Sequence, residues 1–200
     1  MSLTNVKIYH RNFKPFGLSF GEWSIRWWQW LLMIPKSINP VIDLTGKNAS
    51  VGQLDPNVFF LCQTIESVKE QPKRRITIHR GASVFLPILN WISNFYEHGN
   101  SEKELIGIAK QRMDTIGNLE FSLDGRNIGG LEKYRFLSKF FVVELPKDNI
   151  LDLPAGKARL ISDGYWVFTE PILNDTTLST YGSCSSGVTK IGVNYSIKVV

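Results

Sequence analysis

Four carboxylates, Glu22, Asp43, Asp163 and Glu170, are the side chains in this sequence best suited to acid–base chemistry. Glu22 and Asp163 each lie close to a tryptophan in sequence, and an indole ring can stack on a sugar. A glycosidase needs two carboxyl groups about 5 to 9 Å apart across a cleft, one of them with a pKa raised by an apolar wall. A carbohydrate-active hydrolase that uses Glu22 or Asp163 is therefore one hypothesis.

Both carboxylates also have a structural interpretation. Ser19 and Glu22 have the spacing of a helix capping box, and Arg26 follows Glu22 at the i,i+4 spacing of an ion pair. Asp163 precedes Gly164, which is typical of a turn between two strands. These assignments need no catalysis.

Other catalytic chemistries lack their residue patterns. His10, His79 and His98 have no second ligand at the short spacing of a metal site, so we expect no metal. The sequence contains no Gly-x-Ser-x-Gly elbow and no phosphate-binding glycine loop. We therefore expect no cofactor.

Binding is the function that the residue types favour. Exposed aromatic rings can form a stacking platform for a carbohydrate or small molecule, and nearby polar side chains can orient it. The predicted ligand-binding residues are Trp28, Asp43, Asn48, Gln53, Asn90, Trp91, Asp163, Tyr165 and Trp166. We expect a non-catalytic binding protein whose site lies where the first helix meets the loops 39–53 and 162–166. The structural alternative is that the rings fill the core while the polar side chains satisfy loop backbone.

Two helices and several strands must position these residues. The first helix is rich in tryptophan and is predicted over about 20–34, because a capping box begins it at Ser19 and Pro35 ends it. Spacings of four and three place Trp23, Trp27 and Trp30 on one face, which we expect in the core, whereas Trp28 points elsewhere. A third hypothesis explains this excess aromatic surface in another way. The chain would be a structural protein that forms a homo-oligomer through the helix and has no small-molecule site.

A second helix begins at Ser101 and ends at Gly117, and it carries on one side Leu105, Ile108, Ala109, Arg112 and Ile116. The remaining apolar segments are strand-like. Residues 191–199 alternate apolar and polar side chains, and residues 119–123 lead into an Asp124-Gly125 hairpin turn. The other predicted strands are 58–62, 76–79, 84–89, 134–145 and 165–168.

This pattern predicts a mainly β fold, an antiparallel β-sandwich or jelly-roll-like structure with two α-helices packed on it. We expect a basic N-terminal arm over 1–18 and a single globular domain over 19–200.

The distribution of charge limits the classes of partner that we expect, and the two cysteines lie in different surroundings. The net charge is +5, but the cations are scattered apart from Lys69, Lys73, Arg74, Arg75 and Arg80, which we interpret as a solvated face. We expect no nucleic acid partner. Cys62 follows an apolar run, and Cys184 lies in a predicted loop of small residues over 182–187.

No segment approaches the roughly 18 uninterrupted apolar residues of a membrane span. We expect a soluble protein, either cytoplasmic or exported with a leader that this sequence lacks.

A series of short motifs from about residue 19 onward resembles a group of uncharacterised microbial proteins, often predicted to be exported. The matching segments are 21–24, 27–30, 34–35, 39–40, 43–48, 51–53, 85–88 and 162–166, which include Gly-Glu-Trp-Ser, Trp-Trp-Gln-Trp and Asp-Gly-Tyr-Trp. The resemblance implies a layout and no activity. Some members of the group carry a cysteine pair near positions equivalent to Ala49 and Ile76, and the absence of cysteine at both sites here argues against an oxidising compartment.

Overall fold

A computed structural model of the protein describes residues 6–64, 70–184 and 190–200. The described residues form two α-helices, α1 (Phe20–Met33) and α2 (Glu102–Asp114), and ten strands. The strands are β1 (Val58–Phe60), β2 (Lys73–Ile78), β3 (Ser83–Asn94), β4 (Ile116–Leu123), β5 (Arg126–Asn127), β6 (Arg135–Leu137), β7 (Phe141–Leu145), β8 (Gly156–Phe168), β9 (Thr176–Cys184) and β10 (Lys190–Val199). Short 3-10 helices occur at Pro15–Gly17, Lys36–Ile38 and Leu131–Tyr134.

The strands form two five-stranded sheets. The inner sheet has the order β1-β3-β8-β6, with β7 also paired to β8, and the outer sheet has the order β2-β10-β9-β4-β5. Each sheet is mixed, because β1 runs parallel to β3 and β2 runs parallel to β10. The predicted mainly β fold with two helices is confirmed, and its packing is sandwich-like. The strand pairing differs from the predicted antiparallel arrangement at these two edges, and the jelly-roll alternative stays a prediction.

Two apolar cores lie on opposite faces of the inner sheet. One core packs α1 against Phe85, Trp166 and Phe168 of that sheet. The other lies between the two sheets and includes Val84, Val167 and residues of β10. Because β3 and β8 are buried on both faces, their apolar residues run consecutively instead of alternating.

Helix α1 follows the prediction closely. The Ser19 hydroxyl accepts the Glu22 N–H, the Glu22 carboxylate accepts the Ser19 N–H, and the helix ends at Met33, one residue before the predicted end. Trp23, Trp27 and Trp30 are buried, as expected. Trp28 is also buried, with 7% of its surface exposed.

The predicted ion pair between Glu22 and Arg26 is wrong. Glu22 bonds back to Ser19, and the Arg26 guanidinium lies over the Trp23 ring at 5.1 Å from its centroid. A cation over an indole face gains an electrostatic attraction that an exposed pair of flexible side chains rarely exceeds.

Helix α2 begins as predicted, with the Ser101 hydroxyl accepting the Glu104 N–H. It ends at Asp114, so Ile116, predicted on the helix, instead opens β4. The alternating pattern at 191–199 is confirmed as β10, and Asp124 and Gly125 form the turn between β4 and β5, both with positive φ.

Two strand predictions were incomplete. The run predicted over 134–145 divides into the end of a 3-10 helix, β6 and β7. Strand β9 was missed because Thr, Ser and Gly dominate it, and residues 182–184 of the predicted loop belong to this strand. Lys69 and residues 185–187 lie outside the described residues.

The described part of the predicted N-terminal arm packs on the fold. The Tyr9 N–H donates to the Phe168 carbonyl, and the Trp23 indole N–H donates to the Pro15 carbonyl. This segment therefore closes one end of the core beside α1.

Candidate functional site

A cavity of about 460 Å³ lies between α1, the edge of β3 and the C-terminal end of α2. It forms beside β3 because β1 pairs with that strand, within the described residues, only at positions 83–85. Its apolar walls include Trp27, Trp28, Leu31, Leu89, Ile92 and Met113. We call this space the β3 cavity.

Two tryptophans of α1 are fixed in the wall of the β3 cavity. The Trp27 indole N–H donates to the Leu61 carbonyl at 2.7 Å, and the Trp28 indole N–H donates to the Ser162 hydroxyl at 2.7 Å. Because both N–H groups are used inside the protein, these rings present carbon to the cavity. The wall at this side is rigid and apolar.

Three polar atoms among the residues that line the β3 cavity are buried and have no hydrogen-bond partner among the described residues. They are Gln63 Oε1, Asn90 Nδ2 and Trp91 Nε1. Gln63 is 3% exposed, and its Nε2 donates to the Ile88 carbonyl at 2.5 Å and to the Thr180 hydroxyl at 2.9 Å. These bonds fix the amide, so that the acceptor Oε1 is the unpaired atom.

Four of the lining residues are exposed or half-buried and lie together at the surface, and we call them the mouth of the β3 cavity: Trp91, Glu97, His98 and Arg112. The Arg112 guanidinium lies 4.5 Å from the centroid of the Trp91 ring, and the His98 ring meets that ring edge-on at 5.6 Å. The exposed Glu97 carboxylate accepts the Asn94 side-chain N–H at 3.0 Å. A cation stacked on an aromatic ring therefore borders the opening.

Trp28, Asn90 and Trp91 are the predicted site residues that the structure brings together at the β3 cavity. The other predicted residues do not line it. The segment 162–166 was predicted as a loop and lies within β8, in the centre of the inner sheet.

Asp43 organises the loop that follows α1. Its two oxygens accept the Thr45 N–H at 2.8 Å, the Thr45 hydroxyl at 2.7 Å and the Asn48 N–H at 2.9 Å. Burial favours the neutral acid, but these hydrogen bonds together hold the pKa of Asp43 below its ordinary value. Asp43 and Asn48 thus shape a loop.

The side-chain amide of Gln53 forms hydrogen bonds with backbone groups. Its Nε2 donates to the Ala49 and Phe60 carbonyls, and its Oε1 accepts the Phe60 N–H at 2.9 Å. With both ends of the amide used on backbone, Gln53 matches the structural alternative for this position.

Asp163 does not begin a turn, contrary to the prediction. It faces Trp91 on β3 and Leu137 on β6, is 1% exposed, and accepts two hydrogen bonds from Arg135 at 3.0 and 2.7 Å. Gly164 follows because a β-carbon there would come within 2.6 Å of the Asn90 β-carbon. The Asp-Gly pair therefore reflects close strand packing.

Tyr165 and Trp166 belong to the two cores and not to an exposed stacking platform. Tyr165 lies between the sheets, where burial raises its pKa. Trp166 is fully buried and stacks on Phe85 with the ring centroids 5.1 Å apart.

Glu22 and Asp163 belong to separate hydrogen-bond groups. Glu22 is exposed, and its hydrogen bonds with the Ser19 hydroxyl and backbone lower its pKa, the opposite of what a general acid requires. Asp163 is bound to Arg135, and neither carboxylate lines the β3 cavity. The cavity therefore lacks the pair that the hydrolase hypothesis needs.

Gln63 and Arg112 are two polar cavity residues that the sequence did not predict as site residues. Gln63 carries no local signal, because its surroundings arise from strands distant in sequence. Arg112 did carry one: it falls on the same predicted face of α2 as Leu105 and Ala109, which are fully buried. A cation on a packing face indicates an opening beside that face.

One residue of the basic cluster, Arg74, is buried. Lys73, Arg75 and Arg80 are exposed, as predicted for a solvated face, but Arg74 is 1% exposed. Its guanidinium donates to the Cys62 carbonyl at 2.6 Å, the Tyr195 hydroxyl at 2.8 Å and the Val41 carbonyl at 3.2 Å. Burial raises the pKa of the Cys62 thiol, which makes it a poor nucleophile.

Among the described residues, no group of three or more His, Cys, Asp or Glu side chains is arranged to hold a metal ion. None of the helices in that part of the chain has the length and apolar content needed to cross a bilayer. Comparison of the chain with protein-family models, curated proteins and solved structures gave no match, and the resemblance to uncharacterised microbial proteins stays a prediction.

Proposed function

We propose that this protein binds a small, mainly apolar molecule in the β3 cavity and catalyses no reaction on it. The observation that carries the proposal is a mostly apolar cavity of about 460 Å³, three of whose lining residues also have a buried polar atom without a hydrogen-bond partner among the described residues, Gln63 Oε1, Asn90 Nδ2 and Trp91 Nε1. Ligand sites typically combine apolar walls with a few polar atoms that orient the ligand.

The three unpaired atoms destabilise the protein when the cavity is empty. A buried donor or acceptor without a partner costs about 1–3 kcal/mol. A ligand with matching polar groups would remove that cost on binding. The cavity volume of about 460 Å³ is within the range of ligand pockets, roughly 300–1,000 Å³.

The walls favour an apolar ligand over the carbohydrate considered from the sequence. A sugar carries hydroxyl groups around its ring, and each needs a partner when it is buried. Trp27 and Trp28 use their N–H groups inside the protein, and more than half of the described lining residues are apolar. The carboxylate at the cavity is Glu97 alone among the described lining residues, which supports binding without hydrolysis.

Titration with N-phenylnaphthylamine, a neutral apolar dye that fluoresces in dry sites, tests this function. The proposal predicts saturable binding of one dye per chain. The variant Leu151→Trp adds an indole at a half-buried position in the wall and should weaken binding at least tenfold. The matched control is Met33→Trp, which adds the same ring at an exposed position of α1 and should bind like the wild type.

Circular dichroism of both variants establishes that they fold. If the folded wild type does not bind the dye, or if Leu151→Trp and Met33→Trp bind it equally well, the proposal is wrong.

A further inference from the structure

We infer that the ligand of the β3 cavity carries one anionic group, a carboxylate or its equivalent, which is bound at the mouth by Trp91 and Arg112. This inference rests on the proposed function and names the chemical class of the ligand: an apolar body with one negative charge at its outer end.

The donors of the site favour an acceptor at the mouth. Trp91 Nε1 is a buried donor without a partner, and an indole N–H can only donate. The Arg112 guanidinium, stacked at 4.5 Å on the same ring, adds further N–H donors beside it. Because both donors belong to one stacked pair, we expect a single carboxylate to accept from both.

The hydrogen bonds at the mouth leave Arg112 as the charged group with donors free for a ligand. The charged side chains among the described lining residues are Arg112 and Glu97, and these two do not form a salt bridge with each other. The Glu97 carboxylate already accepts the Asn94 amide N–H at 3.0 Å, whereas Arg112 uses the face of its guanidinium on Trp91. The guanidinium edge therefore stays available for a planar anion.

The whole chain reinforces this preference. Its net charge of +5 attracts anions, and it repels cationic molecules of the same size. Gln63, another lining residue, has an unpaired acceptor Oε1 that would accept a hydrogen bond from a hydroxyl or N–H group of the ligand.

The affinities of two matched dyes measure the contribution of the charge separately from that of the apolar body. Anilinonaphthalene sulfonate has the same ring system and N–H as N-phenylnaphthylamine but adds one sulfonate. We expect the charged dye to bind about tenfold more tightly, which corresponds to one charge-assisted hydrogen bond.

Two substitutions locate the anion site. Arg112→Gln should remove most of the difference between the two dyes, while the control Lys103→Gln makes the same change of charge at the other end of α2 and should preserve it. Trp91→Phe keeps a ring under Arg112 but removes the indole N–H, and it should weaken the charged dye about fivefold to tenfold and the neutral dye much less.

The outcomes distinguish the two proposals. If both dyes bind with equal affinity, or if Arg112→Gln changes the difference no more than Lys103→Gln, the anion site is wrong although the cavity still binds ligands. If neither dye binds, the proposed function itself fails. Binding of the charged dye that depends on Lys103 as much as on Arg112 would identify nonspecific attraction and overturn the inference.

Discussion

Trp28 on α1 and Ser162 on β8 are joined by a hydrogen bond of 2.7 Å from the indole N–H to the hydroxyl oxygen. The bond connects the helix to the central strand and keeps the Trp28 ring in the wall of the β3 cavity. The sequence left the position of this ring open, and the structure places it inside the fold.

Replacement of Ser162 by alanine should destabilise the protein. Trp28 would lose its acceptor in a buried site, and we expect the free energy of unfolding to fall by about 1–2 kcal/mol. Urea denaturation measures the change. The control Ser196→Ala removes a hydroxyl from the exposed face of β10 and should change stability by less than about 0.5 kcal/mol. An equal loss in both variants would contradict the role of the bond.

Substitution of Arg74 by methionine should have a larger effect than the same change at its neighbour. Arg74 bonds three oxygens from separate parts of the chain, and its removal takes the guanidinium donor from the buried Val41 carbonyl and the Tyr195 hydroxyl, while the Cys62 carbonyl keeps only its bond from Tyr195. We expect a loss of about 2–4 kcal/mol in urea denaturation. Arg75→Met alters the exposed face of the same strand and should cost less than about 0.5 kcal/mol. Similar losses would show that Arg74 does not hold these segments together.

Two glycine substitutions should change stability in opposite directions. Gly164→Ala places a β-carbon within 2.6 Å of the Asn90 β-carbon and 2.9 Å of the Leu89 carbonyl oxygen, so we expect a loss of more than about 2 kcal/mol. Gly107→Ala lies in α2 with open space around it and should stabilise the protein by about 0.5–1 kcal/mol. Thermal denaturation of both variants provides the measurement, and stabilisation by Gly164→Ala would refute the close strand contact.

The Asp43 loop should contribute to loss of stability in acid. The hydrogen bonds that Asp43 accepts lower its folded pKa, so its contribution is present above its unfolded value of about 3.9 and is lost as the pH falls through the folded value. Asp43→Asn cannot titrate and should show a smaller loss of stability between about pH 6 and pH 3. Urea denaturation across this range compares the two proteins. Parallel pH profiles would mean that Asp43 titrates as it does in the unfolded chain.

Local signals in the sequence were sufficient for much of the fold. The Ser19 capping box and Pro35 located α1 to within one residue, and the period of two identified β10. These features depend on neighbours in sequence. Strand β9 lacked such a signal, because its small polar residues form a strand only between two partners, β4 and β10.

The candidate site was less predictable. Asp163-Gly164 suggests a turn in isolation, yet the glycine is required by Asn90 on another strand. Gln63, likewise, lines a cavity that exists only after α1, β3 and β9 have come together. Distances between segments far apart in sequence decide both cases.

The packing of α1 on β8 also has a consequence for synthesis of the chain. Helix α1 leaves the ribosome early, but the aromatic face that covers it, including Trp166 and Phe168, is made much later. Until β8 emerges, Trp28 lacks its Ser162 acceptor, and Trp27 lacks the Trp166 ring that packs against it. The growing chain therefore leaves part of this aromatic face uncovered until β8 is made, and exposed apolar surface of this kind makes a nascent chain prone to aggregation.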